Sequence, residues 1–323
     1  MRRGRELNSQ KPVHVSVGNI NVDMVFYIDK MPGKDESVYA REFNISPGGA
    51  ALNYAVAATY YGHYAYLVAS TSTHALSQKL IEEIKAIGVD VRYIKLVDEL
   101  PGVVAVFVSS GGERSMIKYR GANEFLTLGD IPRQLIKDAN VIHLSSVSPG
   151  LVEELGVVAK TYGTILSYDP GLYALEEPEN VVKVARYVNI IYLNKPEART
   201  LRPAGLAQIL KRGADLVVVK KGGEGAVVLT GGGRALRGFS DPVRKPVNAT
   251  GAGDAFAAFF NAAYLDSRDP LKALLHGLAA GAFKTFCKGS ILCWDRNLFN
   301  KQLEKTYVED LGKFDEARLG VLI

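Results

Sequence analysis

The densest chemistry in the chain lies in one ten-residue run, Val247-Asn248-Ala249-Thr250-Gly251-Ala252-Gly253-Asp254-Ala255-Phe256. A polar, glycine-bearing turn meets an apolar helix predicted to start near residue 251, with Thr250 as its expected N-cap. At such a junction the backbone N–H groups of Gly251, Ala252 and Gly253 have no helical partners. Glycine lets an anion come close, and the helix dipole favours negative charge there. The run therefore has the make-up of a phosphate cradle. It is not a Walker A loop, because no lysine and Ser/Thr follow the glycines. Asp254 falls in the first helical turn instead, where a carboxylate can take the proton of a hydroxyl that attacks a phosphoryl group held by those N–H groups. Position, charge stabilisation and a base are what phosphoryl transfer requires. The segment alone fits equally well an ordinary first-turn acid, which stabilises a helix by about 0.3–1 kcal/mol.

Elements must bring other groups to this turn. Strands are predicted at 13–17, 24–28, 64–69, 141–144, 164–168, 188–193 and 216–220. Helices are predicted at 50–61, 75–87, 150–162, 179–187 and 195–212. From residue 141 onward strands and helices alternate strictly. That rhythm predicts an α/β fold, doubly wound, with a mostly parallel sheet and helices on both faces. Ser145, Asp169, Asn194 and Gly222 each follow a predicted parallel strand, so they share the sheet edge where α/β folds bind ligands. The extended stretches 24–46 and 103–119 break the alternation and read together as a small β-sheet lid over the cleft. Residues 37–45 are read as an exposed strand pair, and a hairpin is centred on Gly111-Gly112. The region 226–246 is turn-rich and β-rich, and helices are predicted at 251–265, 270–287 and 297–307. A single domain over 12–323 is expected, with 1–11 as a basic tail carrying Arg2, Arg3 and Arg5.

Four motifs in this order resemble the ribokinase-like (PfkB) carbohydrate kinases over about 13–290. The first is Gly18-Asn19-Ile20-Asn21-Val22-Asp23 followed by Pro47-Gly48-Gly49-Ala50-Ala51-Leu52-Asn53. The others are Asn194-Lys195-Pro196-Glu197, Lys220-Lys221-Gly222-Gly223-Glu224-Gly225, and the Gly251–Asp254 turn. The resemblance implies an ATP-dependent kinase acting on a hydroxyl of a sugar or nucleoside. It implies Asp254 as catalytic base and Gly251, Ala252 and Gly253 as an anion hole. Asp23, Gly48, Gly49 and Asn53 would hold the substrate. Asn194, Lys220, Gly222 and Gly225 would lie on the nucleotide side, and Asn194 and Glu197 would act on Mg2+, through water. Ala279, Ala280, Gly281 and Lys288-Gly289-Ser290 resemble the family's adenine-side wall, with tight helix packing as the competing reading. Some positions depart from the pattern. Asn248 and Ala249 stand where the family often has an acid and a second threonine. In potassium-activated members that acid helps bind the ion, so Asn248 counts against K+ activation. Ser145 stands where ribokinases tend to carry a glutamate, and Ala50-Ala51-Leu52 replaces their usual Lys-Gly-Ala. Ribokinase, nucleoside kinase and ketodeoxygluconate or fructokinase types all stay open.

Composition excludes other classes. The chain has 323 residues, 47% hydrophobic, enough for a full core without staples. No uncharged apolar run approaches the roughly 18–20 residues of a membrane span. No apolar stretch precedes Val13, so no signal peptide is expected. A net charge of +5 is scattered, not striped, which gives no support to nucleic-acid binding. Cys287 and Cys293 form no CxxC, so zinc is not expected and a reducing cytoplasm is the default compartment. A non-catalytic sugar- or nucleotide-binding protein is the alternative from another class, and Asp254 argues against it. Exposed edges in 37–45 and 103–119 would need covering, which agrees with the homodimer through the lid that the resemblance implies.

Overall fold

Short runs of β-branched residues between helices build the frame of the molecule. The computed structural model describes residues 11–111, 114–315 and 319–320. The basic N-terminal arginines lie outside them. The order opens with β1 (Val13–Gly18), β2 (Asn21–Tyr27), β3 (Glu42–Gly48), α1 (Ala50–Tyr61), β4 (Tyr64–Ser72), α2 (Ala75–Ile87), β5 (Asp90–Val97), β6 (Gly102–Val108) and β7 (Arg114–Tyr119). The alternating part follows as α3 (Arg133–Asp138), β8 (Val141–Ser145), α4 (Pro149–Tyr162), β9 (Ile165–Asp169), α5 (Tyr173–Glu176), α6 (Pro178–Val184), β10 (Ile190–Asn194), α7 (Lys195–Lys211) and β11 (Leu216–Lys220). It closes with β12 (Ala226–Thr230), β13 (Arg234–Ser240), α8 (Ala252–Ser267), α9 (Pro270–Lys284), α10 (Arg296–Glu304) and β14 (Thr306–Lys313).

Ten strands form one sheet in the order β14-β13-β12-β11-β10-β9-β8-β1-β4-β5. The run from β11 to β5 is parallel, and β12, β13 and β14 add antiparallel. Separate apolar cores cover its two faces. One packs α1, α8, α9 and α10 around Phe256, Phe259, Phe260 and Phe283, and the other packs α4, α6 and α7 around Leu155, Val181 and Ile209. Strands buried on both faces read as continuous Val/Ile/Leu runs, as β11 does. The alanines of α1 and α8 let those two helices approach closely, and both are buried over most of their length.

The lid is a four-stranded sheet, β3-β2-β6-β7, with β2 and β6 parallel and both edges antiparallel. Phe26 packs against the rings of Phe43 and Phe107 at 4.8 and 5.4 Å. The expected strand pair at 37–45 is instead the single strand β3, since residues 37–40 belong to no strand. Two edge strands were not expected. β5 and β14 are half-exposed and carry charges, the usual protection of a sheet edge, and that dilutes the apolar alternation that marks a strand. The helix expected to 307 therefore stops at Glu304. α7 breaks at Arg202, whose φ of 58° precedes Pro203. Cys287 and Cys293, expected as thiols, form a disulfide. Ala279 and Ala280 are fully buried in the core, so packing, not an adenine wall, accounts for them. No helix among the described residues is long and apolar enough to cross a membrane.

Candidate active site

β3 runs straight into α1 through Gly48-Gly49, and β2 lies beside it, so Asp23 pairs with Ser46 and Asn21 with Gly48. This register sets Asp23 against Gly48 so tightly that a Cβ on Gly48 would sit 2.1 Å from Asp23 Oδ2. Gly49 caps α1 at φ 106°, a conformation that favours glycine. One turn into α1, Asn53 donates from Nδ2 to Asp254 Oδ2 at 2.8 Å. Asn53 Oδ1 is buried and has no partner. A buried amide oxygen left open is a place for a ligand hydroxyl.

Asp254 stands in the first turn of α8. Thr250 is not the N-cap: that position belongs to Gly251, at φ 81°, and no side chain caps the helix. A Cβ at Gly251 would lie 2.1 Å from the Ser290 carbonyl oxygen, so both conformation and space require glycine. The Ala252 N–H, expected to be open, donates to Ala249 O at 3.2 Å. Burial lifts the Asp254 carboxyl to about 6, while the Asn53 amide and the Lys220 and Lys284 ammonium groups pull it down. Asp23 is also raised to about 6 by burial, against a Ser290 hydrogen bond and with the Asp254 charge adding to the rise.

Lys220 ends β11 and Asp169 ends β9. Their side chains, 16% and 15% exposed, meet at 2.5 Å. Burial works against the lysine's charge, but the Asp169 carboxylate outweighs it and the pKa is raised. The ammonium lies at the start of α8, where a Cβ on Gly253 would come 3.1 Å from Nζ. Asn194 and Glu197 form a capping box on α7: Asn194 Oδ1 accepts from the Glu197 N–H at 2.9 Å, and the carboxylate accepts from the Asn194 N–H and Nδ2 at 2.8 and 2.6 Å. Burial and the Asp169 charge push Glu197 to about 7. A buried carboxylate and a largely buried one that repel each other are suited to a divalent cation with oxygen ligands. Glu197 is bonded within the capping box and Asp169 to Lys220, but each carboxylate keeps lone pairs that suit Mg2+ through water, whereas the Asn194 side-chain oxygen is engaged by the Glu197 N–H and brings no charge. Among the described residues no group of three or more His, Cys, Asp or Glu is gathered for a metal.

A cavity of about 810 Å³ opens between the lid and the carboxyl ends of β8, β9 and β10, lined by Asn21, Lys118, Arg120, Ser146, Tyr173 and Glu197 among others. Gly222 faces open space, but Gly225 is held by packing, since its Cβ would meet the Gly238 carbonyl oxygen at 2.0 Å. The structure therefore brings Asp23, Gly48, Asn53 and Asp254 together, and Lys220 and Glu197 around Asp169, while a Cβ on Gly222 would meet nothing within 4 Å and Gly225 stands apart. The partner role of Asp169 escaped sequence reading, which saw only its place at a strand end. Lys118 escaped too, although its alternate position in 115–119 put it on the lid's inner face. Its charge is felt by both Asp23 and Glu197.

Comparison with known proteins gives the family and the fold. The family model described as pfkB family carbohydrate kinase matches residues 13–297. An ATP-dependent ribose-1-phosphate kinase of Halopiger xanaduensis is 28% identical over 85% of this chain and 93% of its own. A nucleoside kinase of Methanothermobacter thermautotrophicus is 27% identical over 79% and 83%. The structure of Arabidopsis thaliana ribokinase complexed with ribose and ATP superposes with a TM-score of 0.77 at 23% identity, covering 91% of this chain and 99% of that one.

Proposed function

The chain belongs to the pfkB family of carbohydrate kinases and is a sugar or nucleoside kinase, and on that premise we propose that it moves the γ-phosphoryl group of ATP to a hydroxyl bound between Asp23, Asn53 and Asp254. The observation that carries this reading is the Asn53–Asp254 hydrogen bond, which unites the acceptor segment with the glycine turn at the start of α8. The acceptor hydroxyl lies against Asp254, held by Asp23 and by the open Asn53 Oδ1. Its oxygen attacks the γ-phosphorus as its proton passes to the Asp254 carboxylate. The bond from phosphorus to the bridging oxygen breaks, and ADP leaves with that electron pair. The N–H groups of Gly251 and Gly253, with the Lys220 ammonium, stabilise the charge on the phosphoryl oxygens. Mg2+, held by Glu197 and Asp169 through water, would neutralise charge on the ATP phosphates.

ATP as donor puts the working enzyme in a cytoplasm, and a disulfide persists there in organisms that keep such bonds inside the cell. Phe43, Ile45 and Ile117 leave apolar surface on the lid edges, in keeping with a homodimer through the lid. Gel filtration showing a monomer alone would remove that part.

The test is ADP release from Mg·ATP with ribose, fructose, ketodeoxygluconate, adenosine, cytidine and inosine, with ribose 1-phosphate added, and Asp254→Asn as control. One acceptor with strong, Asp254-dependent turnover supports the reading. Tight binding of an acceptor without turnover would favour a binding protein.

A further inference from the structure

α9 ends in Lys284, and this lysine is fully buried. A buried ammonium is costly unless its surroundings repay the lost hydration, and a methionine of similar volume would avoid that cost altogether. Two features of the site offset it. The ammonium lies in the last turn of a helix, where the dipole favours positive charge. It also donates to the Asn248 backbone carbonyl at 3.2 Å. That carbonyl belongs to the turn that leads into α8.

The same turn is strapped to the end of α9 at other points. The Val247 and Asn248 N–H groups both donate to Thr285 O, at 2.7 and 3.0 Å. Asn248 Nδ2 donates to Lys288 O at 2.7 Å, and Asn248 Oδ1 accepts from the Thr250 N–H at 2.9 Å. The Ser290 carbonyl presses on Gly251 from the same segment. Lys284 thus holds the residue that leads into the glycine turn, and its charge reaches Asp254. An ammonium bound by backbone carbonyl oxygen has the chemistry of a bound monovalent cation, except that it is tethered to the chain.

We infer that Lys284 is a built-in monovalent cation: its ammonium holds the Asn248–Gly253 turn in its anion-binding shape and supplies fixed positive charge beside it, so that the kinase works without potassium in solution. Lys284 is a positioning residue. It touches no substrate, and it acts through the turn and Asp254. The inference rests on the reading of that turn as the phosphoryl-transfer site.

The experiment compares the wild-type protein with Lys284→Ala and Lys284→Met in tetramethylammonium chloride and in KCl at equal ionic strength. Melting requires no acceptor. Wild type should melt alike in the two salts, whereas Lys284→Ala should be stabilised by K+ alone, as the ion enters the space the ammonium left. With the acceptor found in the panel, wild-type kcat should be the same in both salts. Lys284→Ala should lose about 10²-fold in kcat with little change in acceptor KM, and regain most of it in KCl. Lys284→Met, which refills the space, should lose kcat without regaining it. Wild-type kcat or melting that rises markedly with K+ overturns the inference, as does a Lys284→Ala variant that is fully active or indifferent to K+. If neither variant folds, the wild-type salt comparison decides. Asp254→Asn run alongside separates the two readings: activity retained there removes the site itself, whereas its loss together with potassium-stimulated wild type removes only the role of Lys284.

Discussion

Replacing Asp254 by asparagine should abolish turnover and at the same time stabilise the protein, by an amount that depends on pH. Burial raises the native carboxyl to about 6 from its ordinary 3.8. A raised native pKa means that the neutral form is the one the fold prefers. The stability tied to it is present below about pH 4 and is lost as pH rises through 6. At 1.36 kcal/mol per unit, holding the carboxylate ionised at neutral pH costs about 3 kcal/mol. Asparagine carries no charge, and its amide oxygen can still accept from Asn53 Nδ2, so it escapes that cost. An unfolding entropy near 2.1 cal/mol/K per residue converts about 3 kcal/mol to roughly a 4 °C rise in Tm for a chain of 323 residues. Scanning calorimetry of both proteins at several pH values should show the gap opening from near zero at pH 4 to its full size at pH 7.5. Loss of the base should lower kcat by about 10²–10⁴-fold. The wild-type rate should itself fall about tenfold per unit below pH 6, as the base is protonated. A Tm gap that does not change with pH, or an asparagine variant less stable at pH 7.5, would refute the reasoning. It would mean that the lysines around Asp254 outweigh its burial.

Other perturbations follow from the same geometry. Gly48→Ala should drive Asp23 aside and raise acceptor KM about tenfold, some 1.4 kcal/mol, with kcat less affected; an unchanged KM would free Asp23 from acceptor binding. Lys220→Met should strand the Asp169 carboxylate and cost about 3 kcal/mol in denaturant unfolding, with kcat down about 10²-fold; full activity would take Lys220 out of the phosphoryl site. Cys293→Ser opens a loop between cysteines six residues apart and should cost about 2 kcal/mol. Reductant should lower the wild-type Tm and leave that of the variant alone; a wild type indifferent to reductant refutes this.

Legibility in the sequence followed burial. Parallel strands covered on both faces, such as β8 and β11, are short apolar runs and stand out from their neighbours. β5 and β14 do not, because edge strands answer to solvent as much as to the core. Helix ends marked by glycine, at Gly62 and Gly88, were readable for the same local reason. The start of α8 is not legible at Thr250, because the close approach of the Ser290 carbonyl, which only glycine at 251 admits, comes from far along the chain. In the site, glycines and acids at fixed spacing were visible, whereas the Lys220–Asp169 pair and the burial of Lys284 depend on which strands and helices become neighbours. A lysine within an apolar helical run was the one available sign of the latter.

The bond between Asn53 and Asp254 spans 201 residues of chain, and Ser290 reaches Pro47 across 243. Contacts of such sequence separation form late, because the long loops they close carry their entropy cost until much of the fold is in place. β1 to β13 all precede residue 252, so nearly the whole large sheet can pair while Asn53 still lacks Asp254. During refolding, the far-ultraviolet signal of the sheet should therefore return ahead of catalytic competence. The delay between the two would time the arrival of α8 and α9 against α1, which makes enzyme activity a clock for the last step of assembly.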